Sequence, residues 1–243
     1  MQIQVFNSQM KQLLPHSWRQ ALKRRLFVVR DMRTRLQTLK RAGFHCTGAV
    51  DAGAYRGDWT QEFWNVYPGV PVLLVEPQPT PQSLLRHLVT TTPGSEVISV
   101  ALSDRHGTAS FVLEESNSGL RSNHTTDGLC VDVPCITLAE ALATRSHFVP
   151  NLLKLDLQGH ELQAMQGAGC VLQQFEVIIT EFSVIPIGNV PAFAEVNRFL
   201  ELQGYQLYDV LPQYDRPLDG ALWQLDVFYV RRGSSLLSSQ SWA

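Results

Sequence analysis

The stretch Asp51–Thr60, DAGAYRGDWT, leaves few folds open. Small and apolar residues precede it at Thr47–Val50, a composition that suits a short buried strand. Gly53 and Gly57 interrupt any regular element, and Asp58–Trp64 then reads as the first turns of a helix. Buried strand, glycine turn and helix, in that order, open a parallel βα unit that holds a nucleotide-type ligand at the carboxyl end of its strand. Glycine lets backbone approach such a ligand without a Cβ in the way. The helix start offers unpaired N–H groups and the positive end of its dipole. Asp51, Ala52, Gly53, Ala54, Tyr55, Gly57 and Thr60 are therefore candidate ligand-binding residues.

What the turn lacks narrows the ligand. It is neither a complete G-x-G-x-x-G fingerprint nor a P-loop with its G-K-[ST]. An acid, Asp51, is expected at the strand tip, where a carboxylate suits an ammonium group better than a pyrophosphate. A second strand, Val70–Val75, leads into Glu76 and Pro77. An acid at that point accepts hydrogen bonds from both ribose hydroxyls. Ammonium plus ribose, with no phosphate cradle, points to S-adenosylmethionine. The bland alternative is a glycine turn of any α/β protein with a chance acid after the next strand.

Downstream, strand and helix patterns alternate, which predicts a mostly parallel, helix-covered sheet. A helix is expected over Ser83–Val89 and a third strand over Glu96–Leu102, followed by the polar turn Ser103–Gly107. Thr108–Leu113 alternates and reads as an added strand, Ser116–Asp127 as a long functional loop, and Leu129–Cys135 as a short strand. Thr137 with Glu140 forms a capping box. Asn151–Leu157 predicts the fourth main strand, His160–Gly167 a helix, Phe175–Thr180 the fifth strand ending at Glu181, and Ala192–Leu202 a helix. Tyr205–Val210 and Leu222–Arg231 close the chain as two strands joined without a helix, so one is expected to be antiparallel.

Up to His45 there are ten Lys or Arg and one acid, Asp31. Apolar residues at Trp18, Leu22, Leu26, Val29, Met32, Leu36 and Leu39 predict an amphipathic helix, or a broken pair, with Lys23, Arg24, Arg25, Arg30 and Arg35 largely off the stripe. The plain reading is a helical cap with a solvated basic face; the sharper one is contact with an anionic membrane or substrate carrier. The expected organisation is a basic helical segment over residues 1–43, one α/β domain over 44–232 and a frayed Ser-rich tail over 233–243. No stretch reaches the roughly 18 apolar residues of a membrane span. Cys46, Cys130, Cys135 and Cys170 have no CxxC spacing and read as reduced, mostly packed thiols of a cytoplasmic protein, with no zinc site.

In order along the chain, DAGAYRGDWT, VEPQP, ALSDRHGTASF, LLKLDLQGHELQAMQG, ITEFS and WQLDVFYVRR resemble the FkbM family of S-adenosylmethionine-dependent methyltransferases. The resemblance spans roughly Phe44–Arg232. It implies the class I methyltransferase fold, a Rossmann-like seven-stranded sheet of order 3-2-1-4-5-7-6 with strand 7 antiparallel and helices on both faces. It also implies an acceptor hydroxyl on a sugar, glycan or natural product. Asp51, Gly53, Ala54 and Gly57 match the family's first motif, Glu76 its ribose acid and Asp156 the acid ending strand four. Ser103 and Asp104 fall where the family passes the adenine. Two residues depart from the pattern. Tyr55 stands where the family usually has Asn, and Gln158 where it usually has Glu in an Asp-x-Glu-Gly run.

Methyl transfer to oxygen aligns the acceptor with the methyl carbon and removes a proton as the bond forms. Asp156, Glu181 and His160 are the candidate catalytic groups, expected at the carboxyl ends of strands four and five and one turn into the following helix. Asp156 and Glu181 sharing a divalent cation is the weaker alternative, for want of a third ligand. Arg121, His124, Gln158, Trp223 and Asp226 are candidate acceptor-binding residues. The expected partner is a small-molecule or glycan acceptor and not a nucleic acid. A nicotinamide-dependent oxidoreductase and a catalytically inactive S-adenosylmethionine-binding protein are the competing classes.

Overall fold

The computed structural model describes residues 31–113, 119–120, 129–185 and 192–239. Strands β1 (Ala49–Ala52), β2 (Val72–Val75) and β8 (Leu152–Leu155) are buried at every position. This is the pattern of parallel strands covered on both faces, and it explains their near-continuous apolar runs. With β3 (Glu96–Ile98), β9 (Val177–Ser183), β10 (Tyr205–Asp215) and β11 (Leu222–Arg231) they form one seven-stranded sheet, ordered β3-β2-β1-β8-β9-β11-β10. Only β11 runs against its neighbours: it is antiparallel to both β9 and β10. This is the expected class I methyltransferase arrangement.

Alternation along the strands splits the core in two. Ala49, Val72, Leu74, Leu152 and Ile179 pack with α1 (Met32–Arg41), α2 (Asp58–Val66) and α3 (Gln82–Val89) on one face. Val50, Leu73, Leu153, Leu155 and Ile178 pack with α4 (Leu138–Ala143), α5 (Glu161–Ala168) and α6 (Phe193–Leu202) on the other. Asp51 and Lys154 share the parity of Ala49 and Leu152, so they lie beneath the first set of helices.

A second, four-stranded sheet packs beside the first, ordered β4-β7-β5-β6, from β4 (Ala101–Leu102), β5 (Gly107–Leu113), β6 (Gly119–Leu120) and β7 (Leu129–Ile136). It corrects the expected third strand. Glu96–Leu102 is not one element: β3 pairs with β2, the chain breaks at Ser99–Val100, and β4 pairs in parallel with Cys135 and Ile136 of β7. Period-two patterning says which face is buried but not which sheet a strand joins. Within the stretch expected as an unpaired loop, Gly119 and Leu120 pair with Val112 and Phe111.

Element ends differ in ways that matter for the site. β1 ends at Ala52, two residues later than expected, so Asp51 sits inside the strand. β9 runs on to Ser183, which puts Glu181 inside it as well. α5 begins at Glu161, and His160 is its N-cap rather than a first-turn residue. β10 continues through Pro212 to Asp215, with irregular register there; an edge strand tolerates the proline. The chain end is not simply frayed: Ser234 caps a 3₁₀ turn over Ser235–Leu237, and Leu236 and Leu237 pack on the core. The Thr137–Glu140 capping box is present.

Residues 1–30, and with them most of the basic stripe, lie outside the described residues. α1 opens at Asp31, whose side chain accepts from Thr34 N at 2.7 Å, and it buries Leu36 and Leu39. Arg35 is not on a solvated face: its guanidinium pairs with Asp209 at 2.7 Å and is 13% exposed. The cysteines are only half packed, with Cys46 and Cys135 buried and Cys130 and Cys170 exposed, and none is disulfide-bonded. Among the described residues no helix is long and apolar enough to cross a membrane.

Gly167 fixes how closely α5 approaches the second sheet. A Cβ there would lie 2.0 Å from Ser103 O. Helix propensity alone favours Gly167→Ala by roughly 0.5–1 kcal/mol, but overpacking against backbone typically costs about 1–3 kcal/mol. We expect the clash to win and the melting temperature to fall by several degrees. Thermal denaturation of Gly167→Ala checks this; a melting temperature at or above wild type would show that α5 does not rest on Ser103.

Candidate functional site

The parallel register of β1 and β8 sets Asp51 opposite Lys154. Lys154 Nζ lies 3.2 Å from Asp51 Oδ1 and 3.4 Å from Asp156 Oδ2, and it donates to Gly53 O at 3.2 Å. The first two are ion pairs and the third a hydrogen bond, and together they surround the ammonium. Burial disfavours the charge, but Asp51 and Asp156 outweigh it and hold the lysine pKa above its ordinary value. Thr60 Oγ1 donates to Asp51 Oδ2 at 2.6 Å and ties α2 to the same cluster.

Gly53 follows in the left-handed region (φ 78°), and a Cβ there would lie 1.9 Å from Asp156 O. The glycine is therefore required by the approach of two strand ends to each other. The next turn is held by Glu76, directly after β2. Its Oε2 accepts from Tyr55 N and its Oε1 from Gln78 N, each at 2.8 Å. Burial raises the Glu76 pKa, and the two N–H groups oppose that. Each oxygen keeps a second lone pair for a ligand hydroxyl.

These groups face a cavity of about 180 Å³ that opens to solvent. Gly53, Ala54, Tyr55, Glu76 and Pro77 line one side. Ala101, Leu102 and Phe111 of the second sheet line another, and Lys154, Asp156, Gln158 and His160 a third. Six expected ligand residues, Asp51, Ala52, Gly57, Thr60, Ser103 and Asp104, are not on this wall. Asp51 is fully buried behind the turn, engaged by Thr60 and Lys154, so it does not present a free carboxylate to an ammonium group. Ala52 is buried within β1, Thr60 braces Asp51, and Gly57 caps α2 against Leu88. Ser103 and Asp104 act at one remove. Ser103 Oγ donates to Asp104 Oδ1 at 3.0 Å and lies 3.1 Å from His160 Nε2. With the hydroxyl proton given to Asp104, His160 donates from Nε2 and leaves Nδ1 as the acceptor nitrogen. Burial lowers the His160 pKa, with Asp104 working against it, so the ring is neutral near pH 7.

A second pocket, about 160 Å³, is lined by Gln158, Gly159, Glu161, Glu181, Ser183 and Trp223 among others. Gln158 lines both spaces. Its Nε2 donates to Asp156 Oδ1 at 2.9 Å and to Glu181 Oε2 at 3.3 Å. Asp226 lies opposite Glu181 in the β9–β11 pair and accepts from Gln213. Burial, then the carboxylates of Asp156, Glu161 and Asp226, push Glu181 up to about 9; burial and Asp156 push Asp226 up to about 6. Burial and its acidic neighbours thus favour the protonated, O–H-donating form of Glu181 over the base.

The structure thus brings Asp156, Gln158, Glu181 and Asp226 together, with Trp223 beside them, and holds His160 away from them toward Ser103. Arg121 and His124 lie outside the described residues. Among the described residues no group of three or more His, Cys, Asp or Glu is arranged to hold a metal ion. The residue patterns did not point to Glu161, to Phe111 or to Trp59 on the cavity wall; each becomes visible only when elements far apart in sequence are packed.

The Methyltransferase FkbM domain profile matches residues 51–207. The chain belongs to the FkbM methyltransferase family. It is an S-adenosylmethionine-dependent methyltransferase. No curated protein is similar to it in sequence. Its fold is similar to the precorrin-6y C5,15-methyltransferase of Geobacter metallireducens (11% identity, 81% and 84% of the two chains, TM-score 0.47). It is similar also to the N-methyltransferase NodS of Bradyrhizobium japonicum (9%, 82% and 93%, 0.47). A third similar structure is the Burkholderia thailandensis 1,6-didemethyltoxoflavin-N1-methyltransferase, solved with S-adenosylhomocysteine (12%, 90% of each chain, 0.45).

The wall residues fit this methyl donor. Glu76 offers two oxygens suited to paired hydroxyls, and Trp59 Nε1 is buried on the wall without a hydrogen-bond partner among the described residues.

The Glu181 shift has a sign that stability measurements read. Its folded pKa, about 9, lies above the ordinary 4.5. Between those values the unfolded chain has released the proton and the folded chain has not, so this group's contribution to stability falls as pH rises through the window. Glu181→Gln removes that dependence. Relative to wild type, the variant is expected to gain on the order of 1–3 kcal/mol between pH 5 and pH 8, since neighbouring acids share the shift. Denaturant unfolding at the two pH values checks it; a constant gap means that Glu181 is ionised throughout.

Proposed function

We propose that this enzyme transfers the methyl group to a hydroxyl oxygen of a small polyol, sugar or sugar-like acceptor, seated in the pocket beside Glu181 and Trp223. One observation carries the reading: the donor cavity and the second pocket meet at Gln158, with Asp156 at the junction. When bound, S-adenosylmethionine supplies the methyl group for an in-line displacement.

Glu76 binds the ribose hydroxyls from the floor of the first cavity, and the backbone from Gly53 to Tyr55 supports the donor's amino-acid end. Asp156 accepts the acceptor proton as the new bond forms. Gln158 and Lys154 each engage one of its oxygens, at 2.9 and 3.4 Å, which orients the carboxylate and leaves lone pairs for the hydroxyl. Protonated Glu181 donates to a neighbouring acceptor oxygen. Trp223 offers a ring face and an Nε1–H that is buried without a partner among the described residues. An aromatic plane beside polar groups suits a ring polyol. His160, fixed to Ser103, keeps the adenine end of the cavity in shape and is not the base.

A panel of acceptors tests the chemistry. Purified protein with S-adenosylmethionine and methyl glycosides, catechols or primary amines is expected to give methyl ethers of the hydroxyl compounds, read by mass spectrometry. Products from amines alone would overturn the reading. Asp156→Asn keeps the shape and is expected to lose roughly 10²–10⁴ in single-turnover rate; a near-normal rate would reduce Asp156 to a fold element. Glu76→Ala is expected to weaken S-adenosylmethionine binding by about 1.5–3 kcal/mol, the range for a charge-assisted hydrogen bond, and calorimetry measures it directly.

A further inference from the structure

Glu161 is a buried acid that the proposed chemistry does not use. It is the first residue of α5 and 3% exposed. Its Oε1 accepts from Leu157 N at 2.7 Å and from Gly159 N at 3.2 Å. Those are the N–H groups on either side of Gln158, and Gln158 is in the left-handed region, φ 53°, followed by Gly159 at φ 95°. A non-glycine residue is disfavoured there and persists only where its surroundings hold it.

We propose that Glu161 is a positioning residue for methyl transfer: one carboxyl oxygen clamps the backbone on both sides of Gln158, and so fixes the Gln158 amide between Asp156 and Glu181. Released from the clamp, Gln158 relaxes to negative φ. Its amide then leaves Asp156 Oδ1 and Glu181 Oε2, and the wall between the two cavities moves with it. The clamp needs an acceptor of the right reach and not a charge. Burial, then the nearby Asp156 carboxylate, push Glu161 up to about 7; ionised, or protonated on its other oxygen, Oε1 still accepts both bonds.

This inference rests on Asp156 and Glu181 lying at the reaction centre, so its test uses readouts that do not require turnover. In the full chain, amide exchange at Leu157 and Gly159 is followed by NMR, and S-adenosylhomocysteine binding by calorimetry. Glu161→Gln keeps the acceptor and is expected to preserve both amides' protection and bind within about twofold of wild type. Glu161→Asp keeps the charge but is one methylene too short. It is expected to lose protection at those two amides, leave core amides unchanged and bind about tenfold more weakly. Restoration by Gln but not by Asp is a pattern that general destabilisation does not give. Equal behaviour of Gln and Asp, or unchanged exchange at Leu157 and Gly159 in the Asp variant, would overturn the proposal. Normal turnover in Asp156→Asn would overturn the proton-acceptor reading instead and leave the exchange result standing.

Discussion

Everything at the carboxyl end of the sheet is referenced to one buried ammonium. Taking a lysine charge out of water costs several kcal/mol, and it is tolerated only where the charge is closely paired. Lys154 meets that condition with Asp51, Asp156 and Gly53 O. Two of the three partners lie on β1 or its turn and the third just past β8, so the cluster also fixes register. A one-residue slip of β8 would turn Lys154 to the opposite face, among Val50 and Val75, with no carboxylate to meet it. Thr60 extends the same constraint to α2 through Asp51. Lysine in an otherwise apolar strand is thus what pins strand, glycine turn and helix in one geometry.

The second sheet gives the cavity its far wall. The break at Ser99–Val100 lets the chain hydrogen-bond β2 through Ile98 and then β7 through Ala101, which carries Ala101, Leu102 and Phe111 over the ligand space. Gly167 allows α5 to rest on Ser103 O, and Ser103 holds His160. A small residue inside a helix, weak by propensity, thereby sets the position of a ring on the cavity wall.

The alternation of elements was legible because parallel strands buried on both faces leave unbroken runs such as VLLV and LLKL. Strand order came with the family resemblance, since periodicity carries no information on neighbours. Strand ends were read too early at Asp51 and Glu181, where an acid interrupted an apolar run, and too late at Asp156, where β8 stops at Leu155. A carboxylate looks like a tip, yet Asp51 and Glu181 are accommodated inside β1 and β9 by partners distant in sequence, Lys154 and Gln158. For the same reason Asp51 read as a ligand when it is a brace. The second pocket, drawn from the turn after β8 and from β9 and β11, has no contiguous motif, and Glu161 left no signal beyond its spacing from Gly159. Trp223 and Asp226 were identifiable by residue type; their meeting with Glu181 was not.

Among the described residues, two without the freedom of glycine take positive φ: Tyr55 at 44° and Gln158 at 53°. Both line the donor cavity, and both stand where the family pattern usually differs. Asn, usual at the first position, tolerates the left-handed region, whereas Tyr gains nothing from its side chain locally. The compensation is visible: Tyr55 N–H is fixed on Glu76 Oε2, and the Arg56 guanidinium lies 5.1 Å from the centre of its ring. At the second position the exchange is one of charge. Asp156, Glu161, Glu181 and Asp226 already crowd one region, and burial first, then that crowding, raises the proton affinities of the last three. A glutamate at 158 would bring a further carboxylate within reach of two others and demand a proton or a cation between them. The neutral amide instead donates to both, so Gln158 supplies from the protein itself a link that the acidic version of the motif would have to recruit.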